Sequence, residues 1–177
     1  MTRRAQDYAY EIRTHLLYEL RWLIYAATRY ETRDTAGLDV ALIDSAAVHA
    51  RNLFEFAASK KTGTFTLHAL GGTEKDSKDW DRWANNRVTH MGLREHDKAP
   101  WPAGLDNARL DRLMMMAGAV LDRLDDGGNS IPAGDVRTAY IEVLGAARQY
   151  WSSPSEENHR LLAELYDDSR DADAEPY

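Results

Sequence analysis

From residue 3 to about residue 31 the chain runs without a glycine or a proline, and Tyr8, Ile12, Leu16, Leu20, Leu23 and Ala27 recur at spacings of three and four. That is the period of an α-helix, in which 3.6 residues make one turn, and not the alternation of a strand. A helix this long presents an apolar stripe that it cannot bury by itself, so further elements must pack beside it. "TRDTAG" then breaks the pattern, with Gly37 as the breaker.

The same period returns along the chain. Over residues 38–59, Leu42, Ile43, Ala46, Ala47, Ala50, Leu53, Phe54 and Ala57 gather on one side of a second helix. Asp44, Ser45, His49, Arg51, Asn52, Glu55 and Ser59 occupy the other arc, where only Val48 and Phe56 are out of place. "KKTGTFTLHALGGTEKD" has no helical period and reads as a loop. A third helix is expected over residues 77–95, and the prolines and glycine of "HDKAPWPAG" make the next stretch irregular. A fourth helix runs over about 105–124 with "DDGG" as its stop signal, and a fifth over 135–151. "SPSE" reads as a capping box with Ser153 as N-cap, Pro154 at the first position and Glu156 reaching back. The helix it opens ends near residue 168, and the acidic, small-residue tail 169–177 is expected to be disordered. The fold class is all-α: a bundle of five or six helices with a long N-terminal helix, one domain over residues 1–168.

Composition excludes several functions. A chain of 177 residues can bury a real core without disulfide or metal support. Cysteine is absent, which rules out thiolate metal sites and a thiol nucleophile. Asp7, Glu11 and Arg13 interrupt any signal-peptide core, and no apolar run is long enough to span a bilayer. A soluble cytoplasmic protein with no membrane partner is the expectation. The net charge of −7 disfavours coating of duplex nucleic acid through bulk positive potential, although a local basic site stays open.

Candidate chemistry concentrates on the second and third helices. Asn86, His90 and Arg94 stand four residues apart and so form one stripe, with Trp83 and Arg87 alongside, bordering the apolar face of Trp80, Ala84, Val88 and Met91. An imidazole titrates near neutral pH and can move protons. A guanidinium grips phosphate oxygens, and an amide can orient either group. The second helix offers a complementary polar set of Asp44, His49, Arg51 and Asn52. Each residue also has a plain structural role open to it: His90 and His49 as hydrogen-bonded edge residues, Asp44, Arg51 and Glu55 as an ion-pair ladder. No His-x3-His pair and no carboxylate one turn from a histidine makes a recognisable metal set, and no P-loop, nucleophile elbow or cofactor motif is present. The Met114–Met116 run reads as core packing, and the pairs Gly71–Gly72 and Gly127–Gly128 as turns.

"DSAAVHARNLFEF", followed by "NNRVTHMGLRE" and then "WP", resembles the HEPN superfamily of helical bundles, whose bacterial branches carry central helices of this kind. The matching positions are His49, Arg51, Asn52, Leu53, Phe56, Asn85, His90, Arg94 and Trp101, within about residues 38–124. The resemblance implies a homodimer from a bacterial defence or toxin–antitoxin setting, with RNA as substrate or a protein antitoxin as partner, and metal-independent ribonuclease activity in its catalytic members. His90 would then be the general acid/base, Arg51 and Arg94 the phosphate clamps, and Asn52, Asn85, Asn86, Arg87, Asp44 and His49 binding or orienting groups. The superfamily's single-helix arginine–polar–histidine motif is not reproduced here, since Arg87 stands only three positions before His90. A catalytic pair must therefore be split between helices, as Arg51 with His90. The rival reading is a non-catalytic helical interaction module, suggested by the acidic charge and by the aromatics Tyr8, Tyr10, Tyr18, Trp22, Tyr25 and Tyr30 on the first helix.

Overall fold

The structure, a computed structural model, describes residues 3–32, 39–60, 64–74 and 107–171. Helix α1 comprises Arg3–Glu11, a π-helical turn at Ile12–Leu16, and Leu17–Thr32, without interruption. It is followed by α2 (Asp39–Ala58), α3 (Asn107–Gly128), α4 (Asp135–Ser152) and α5 (Glu156–Asp171). Among the described residues all regular structure is helical, and the fold is an all-α bundle with a long first helix. No described helix is long and apolar enough to cross a membrane.

Helix α1 is the spine. Leu16, Leu20, Leu23 and Ala27, on its four-residue stripe, are fully or almost fully buried, and its second half packs most extensively on α2. Across from it stand Ala46, Ala50, Leu53 and Phe54 of α2, Met116, Val120 and Leu121 of α3, and Val143 and Ala147 of α4, all in one continuous core. Three arginines fasten the spine and its neighbours at the surface. Arg13 reaches Glu142 at 3.1 Å, Arg29 reaches Glu156 at 3.4 Å, and Arg148 joins α4 to Asp122 (2.7 Å) and Asp125 of α3.

The structure corrects three local expectations. Phe56, out of place on the polar arc of α2, is buried, because the loop 64–70 folds over it: Phe65 stacks against it at 5.0 Å and Leu67 N–H donates to its carbonyl at 2.9 Å. Helix α3 does not stop before the second glycine pair but runs through Gly127 and Gly128. A Cβ on Gly127 would overlap Leu67 and one on Gly128 the Tyr140 ring, so here glycine serves close packing at a helix end; Gly71, with φ of 85°, does make a turn. The last helix is capped by Ser155 and not Ser153: Ser155 Oγ accepts from Asn158 N–H at 3.1 Å, while the Asn158 amide donates back to Ser153 O at 2.7 Å. That helix runs on to Asp171; the rest of the proposed tail lies outside the described residues. Of the methionine run, Met116 is core, Met114 is half-buried against it and Met115 is 62% exposed.

Candidate functional site

The proposed third helix, and with it Asn85, Asn86, Arg87, His90 and Arg94, lies outside the described residues. The half of the expected constellation carried by α2 is described. His49 and Asn52 are three apart, hence on one face, and that face meets α1. There the Glu19 carboxylate holds both: His49 Nδ1 stands 2.7 Å from Oε2, and Asn52 Nδ2 donates to Oε1 at 3.0 Å. An ionised carboxylate only accepts hydrogen bonds, so Nδ1 is the donor to it, and in the neutral form of the ring Nε2 holds the lone pair. The contact is sheltered, with the His49 side chain 12% and the Glu19 side chain 23% exposed. The Tyr18 ring stands edge-on to the imidazole at 5.7 Å. A fixed tautomer, a sheltered carboxylate and a packed ring together orient a basic nitrogen.

Glu19 and Asn52 also form part of the wall of a pocket of about 280 Å³ between α1, α2 and the loop after α2. Leu16, Leu53, Phe56 and Phe65 give it apolar walls, while His15, Glu55, Ser59, Thr64 and Thr66 give it polar ones. The π-helical turn at Ile12–Leu16 contributes His15 and Leu16, and within it Thr14 Oγ1 donates back to the Tyr10 carbonyl at 2.9 Å, as a hydroxyl competing with the helix ladder does. Asp44 and Arg51, expected at the site, are half-buried on α2 and do not line the pocket. Among the described residues its lining carries two carboxylates and neither lysine nor arginine.

Comparison with protein-family models, curated proteins and solved structures finds no match. A histidine oriented by a carboxylate can take up and return a proton, and His49, which does not itself line the pocket, reaches its wall through Glu19. Among the described residues no group of three or more histidine and carboxylate side chains converges as a metal-binding set.

Sequence reasoning missed Glu19. Its partners are 30 and 33 residues away, which no local pattern reports. The available signal was the spacing Glu11, His15, Glu19, four and four, which puts carboxylates one turn either side of a histidine; in the structure His15 Nε2 pairs with Glu11 at 3.1 Å.

A second histidine site lies at the other end of the same helix face. His159 of α5 stacks on Tyr25 at 4.8 Å and lies 5.6 Å from Tyr150, and Arg21 Nε donates to its Nε2 at 3.3 Å. Burial, then the Arg21 and Arg29 guanidinium groups, hold its pKa below the usual histidine value. The α1 aromatics connect the two sites through edge contacts, Tyr18 to Trp22 at 6.3 Å and Trp22 to Tyr25 at 5.5 Å. Trp22 and Tyr25 are thereby engaged within the bundle, while Tyr10 and Tyr18 keep 40% exposure.

Proposed function

We propose that the chain is a HEPN-like helical protein of a bacterial defence or toxin–antitoxin system that cleaves RNA without a metal. The observation that carries this reading is Glu19 gripping both His49 and Asn52, two residues of the "HARN" stretch on which the resemblance rests. With Nδ1–H fixed on the carboxylate, His49 Nε2 is the base that removes the proton from a ribose 2′-hydroxyl. The freed oxygen attacks the adjacent phosphorus, a cyclic phosphate forms, and the 5′-oxygen leaves with a proton from a second acid, the role given to His90. Arg51 and Arg94 would hold the phosphate, with Asn85, Asn86 and Arg87 orienting it. A homodimer is the natural assembly for a site split between helices.

A second reading has an observation of its own. The described pocket wall carries Glu19 and Glu55 and neither lysine nor arginine, which suits a protein or amine-bearing partner better than a phosphate chain. In that reading the protein is a non-catalytic interaction module. One experiment separates the two: purified protein incubated with transfer RNA and total RNA in EDTA, beside His49→Ala and His90→Ala. Cleavage by the wild type that both variants lose supports the ribonuclease. Intact RNA in all three reactions rejects it in favour of the module.

A further inference from the structure

The pocket between α1, α2 and the loop after α2 is apolar at its floor and polar at its mouth. Leu16, Leu53 and Phe56 are buried, and the Phe65 ring leans over that of Phe56 with 42° between their planes. His15 and Asn52 stand exposed at the mouth, and the Glu19 carboxylate is partly sheltered. A dry apolar cavity of about 150 Å³ already accepts a benzene ring. A pocket of about 280 Å³ therefore has room for a ring and a short chain.

Two of its lining groups have hydrogen-bonding capacity that the fold does not use. Glu19 accepts one bond on each oxygen, from His49 and from Asn52, whereas an ionised carboxylate offers about four acceptor sites. Thr66 is buried, and its hydroxyl oxygen accepts from Ala69 N–H at 3.1 Å. Among the described residues the hydrogen of that hydroxyl meets no acceptor, which is uncommon for a buried polar group. One group is thus open to a donor and the other to an acceptor, and the two phenylalanine rings line the same space. The wall from α1 comes from the π-helical turn, a distortion frequent at functional sites.

We propose that this pocket binds a small aromatic amine. The ring lies against Phe56 and Phe65, the ammonium donates to Glu19, and an oxygen on the ring accepts from Thr66. The ammonium joins the carboxylate as a third donor, so His49 and Asn52 keep their bonds. Burial of the ring removes apolar area from water, and the net charge of −7 favours the approach of a cation. The inference rests on the second reading's account of the pocket wall, and the two fail separately. RNA cleavage would remove that reading and leave the titration below unmoved, whereas a flat titration removes the amine and leaves the module.

The test is an NMR titration of the full-length protein with tyramine. Beside it stand p-ethylphenol, which lacks the ammonium, and n-butylamine, which lacks the ring. Tyramine should bind with a dissociation constant of about 1 mM or tighter, shifting the ring signals of His15, Phe56 and Phe65 but not those of His159. The other two compounds should each bind at least about tenfold more weakly. Glu19→Gln, checked for helix content by circular dichroism, should weaken tyramine about tenfold, and Thr66→Val about threefold or more. No saturable shift with tyramine, or shifts only outside the pocket, would overturn the site, as would a folded Glu19→Gln that binds like the wild type. Equal binding of n-butylamine would overturn it in favour of a lysine side chain on a protein partner. Equal binding of p-ethylphenol would overturn it too, since the carboxylate would then take no part.

Discussion

Glu19 is the residue on which the candidate site depends, because its carboxylate holds both His49 and Asn52 to α1. Glu19→Gln keeps the shape and removes the charge, so the imidazole loses its tautomer lock. If His49 is the base, RNA cleavage falls roughly 10²-fold or more in EDTA. Urea unfolding should show a loss of about 1–3 kcal/mol, the range for a sheltered hydrogen bond to a charged group. His159 makes a different prediction, in pH. Its pKa is lowered in the folded protein, so as pH falls below the ordinary histidine value the unfolded chain takes up a proton that the folded chain refuses. Stability from this group is complete above about pH 6.5 and is lost as pH falls towards the folded pKa. The urea midpoint should therefore drop between pH 7.5 and 5.5, and His159→Gln should flatten that slope. Acid loss from Glu74, whose pKa the Lys60 ammonium, its own backbone amide and His68 together hold at about 2, belongs to a separate window well below it. His159 could not be singled out in the sequence, since its surroundings come from three helices.

At the scale of elements the sequence was most legible where periodicity was longest and least where ends are made. The α1 stripe and the two faces of α2 follow from spacing alone, and burial agrees with both almost residue by residue. Helix ends depend on single hydrogen bonds and on what lies across the gap. "SPSE" contains two serines, and pattern favours the first, but the Asn158 amide draws the chain back to Ser153 O and leaves Ser155 at the cap. Ser155→Ala should therefore destabilise by about 1 kcal/mol and fray α5, while Ser153→Ala should change little, as urea melts followed by circular dichroism would report. Gly127 and Gly128 look like a stop because glycine usually is one. Their purpose is set by Leu67 and Tyr140, distant in the chain, whose side chains occupy the space a Cβ would need. The Tyr140 hydroxyl donates to Leu124 O at 2.8 Å, and burial raises its pKa, so this contact stays neutral and paired.

Over the whole molecule, the helical class and the spine were readable, while the contacts that make a site were not. The sequence points to His49 and Asn52 because they share a face, but the carboxylate that organises them belongs to another helix, and only tertiary packing brings it there. The same packing gives the loop after α2 an unexpected standing. Leu67 N–H is bonded to Phe56, Gly72 N–H to Leu67 and Thr73 N–H to Gly127, and the Thr73 and Ser130 hydroxyls meet at 2.7 Å. A stretch without helix or strand is thus welded to two helix ends around a fully buried leucine. Its slow clock follows: the amides of Leu67, Gly72 and Thr73 should exchange with deuterium at the rate of global unfolding, alongside the mid-helix amides of α1, and not with the surface turns. Fast exchange there, with α1 still protected, would mean that the loop opens on its own. If the slow rate is found, the wall of the pocket that this loop provides persists for as long as the protein stays folded, and a ligand must enter a cavity already shaped.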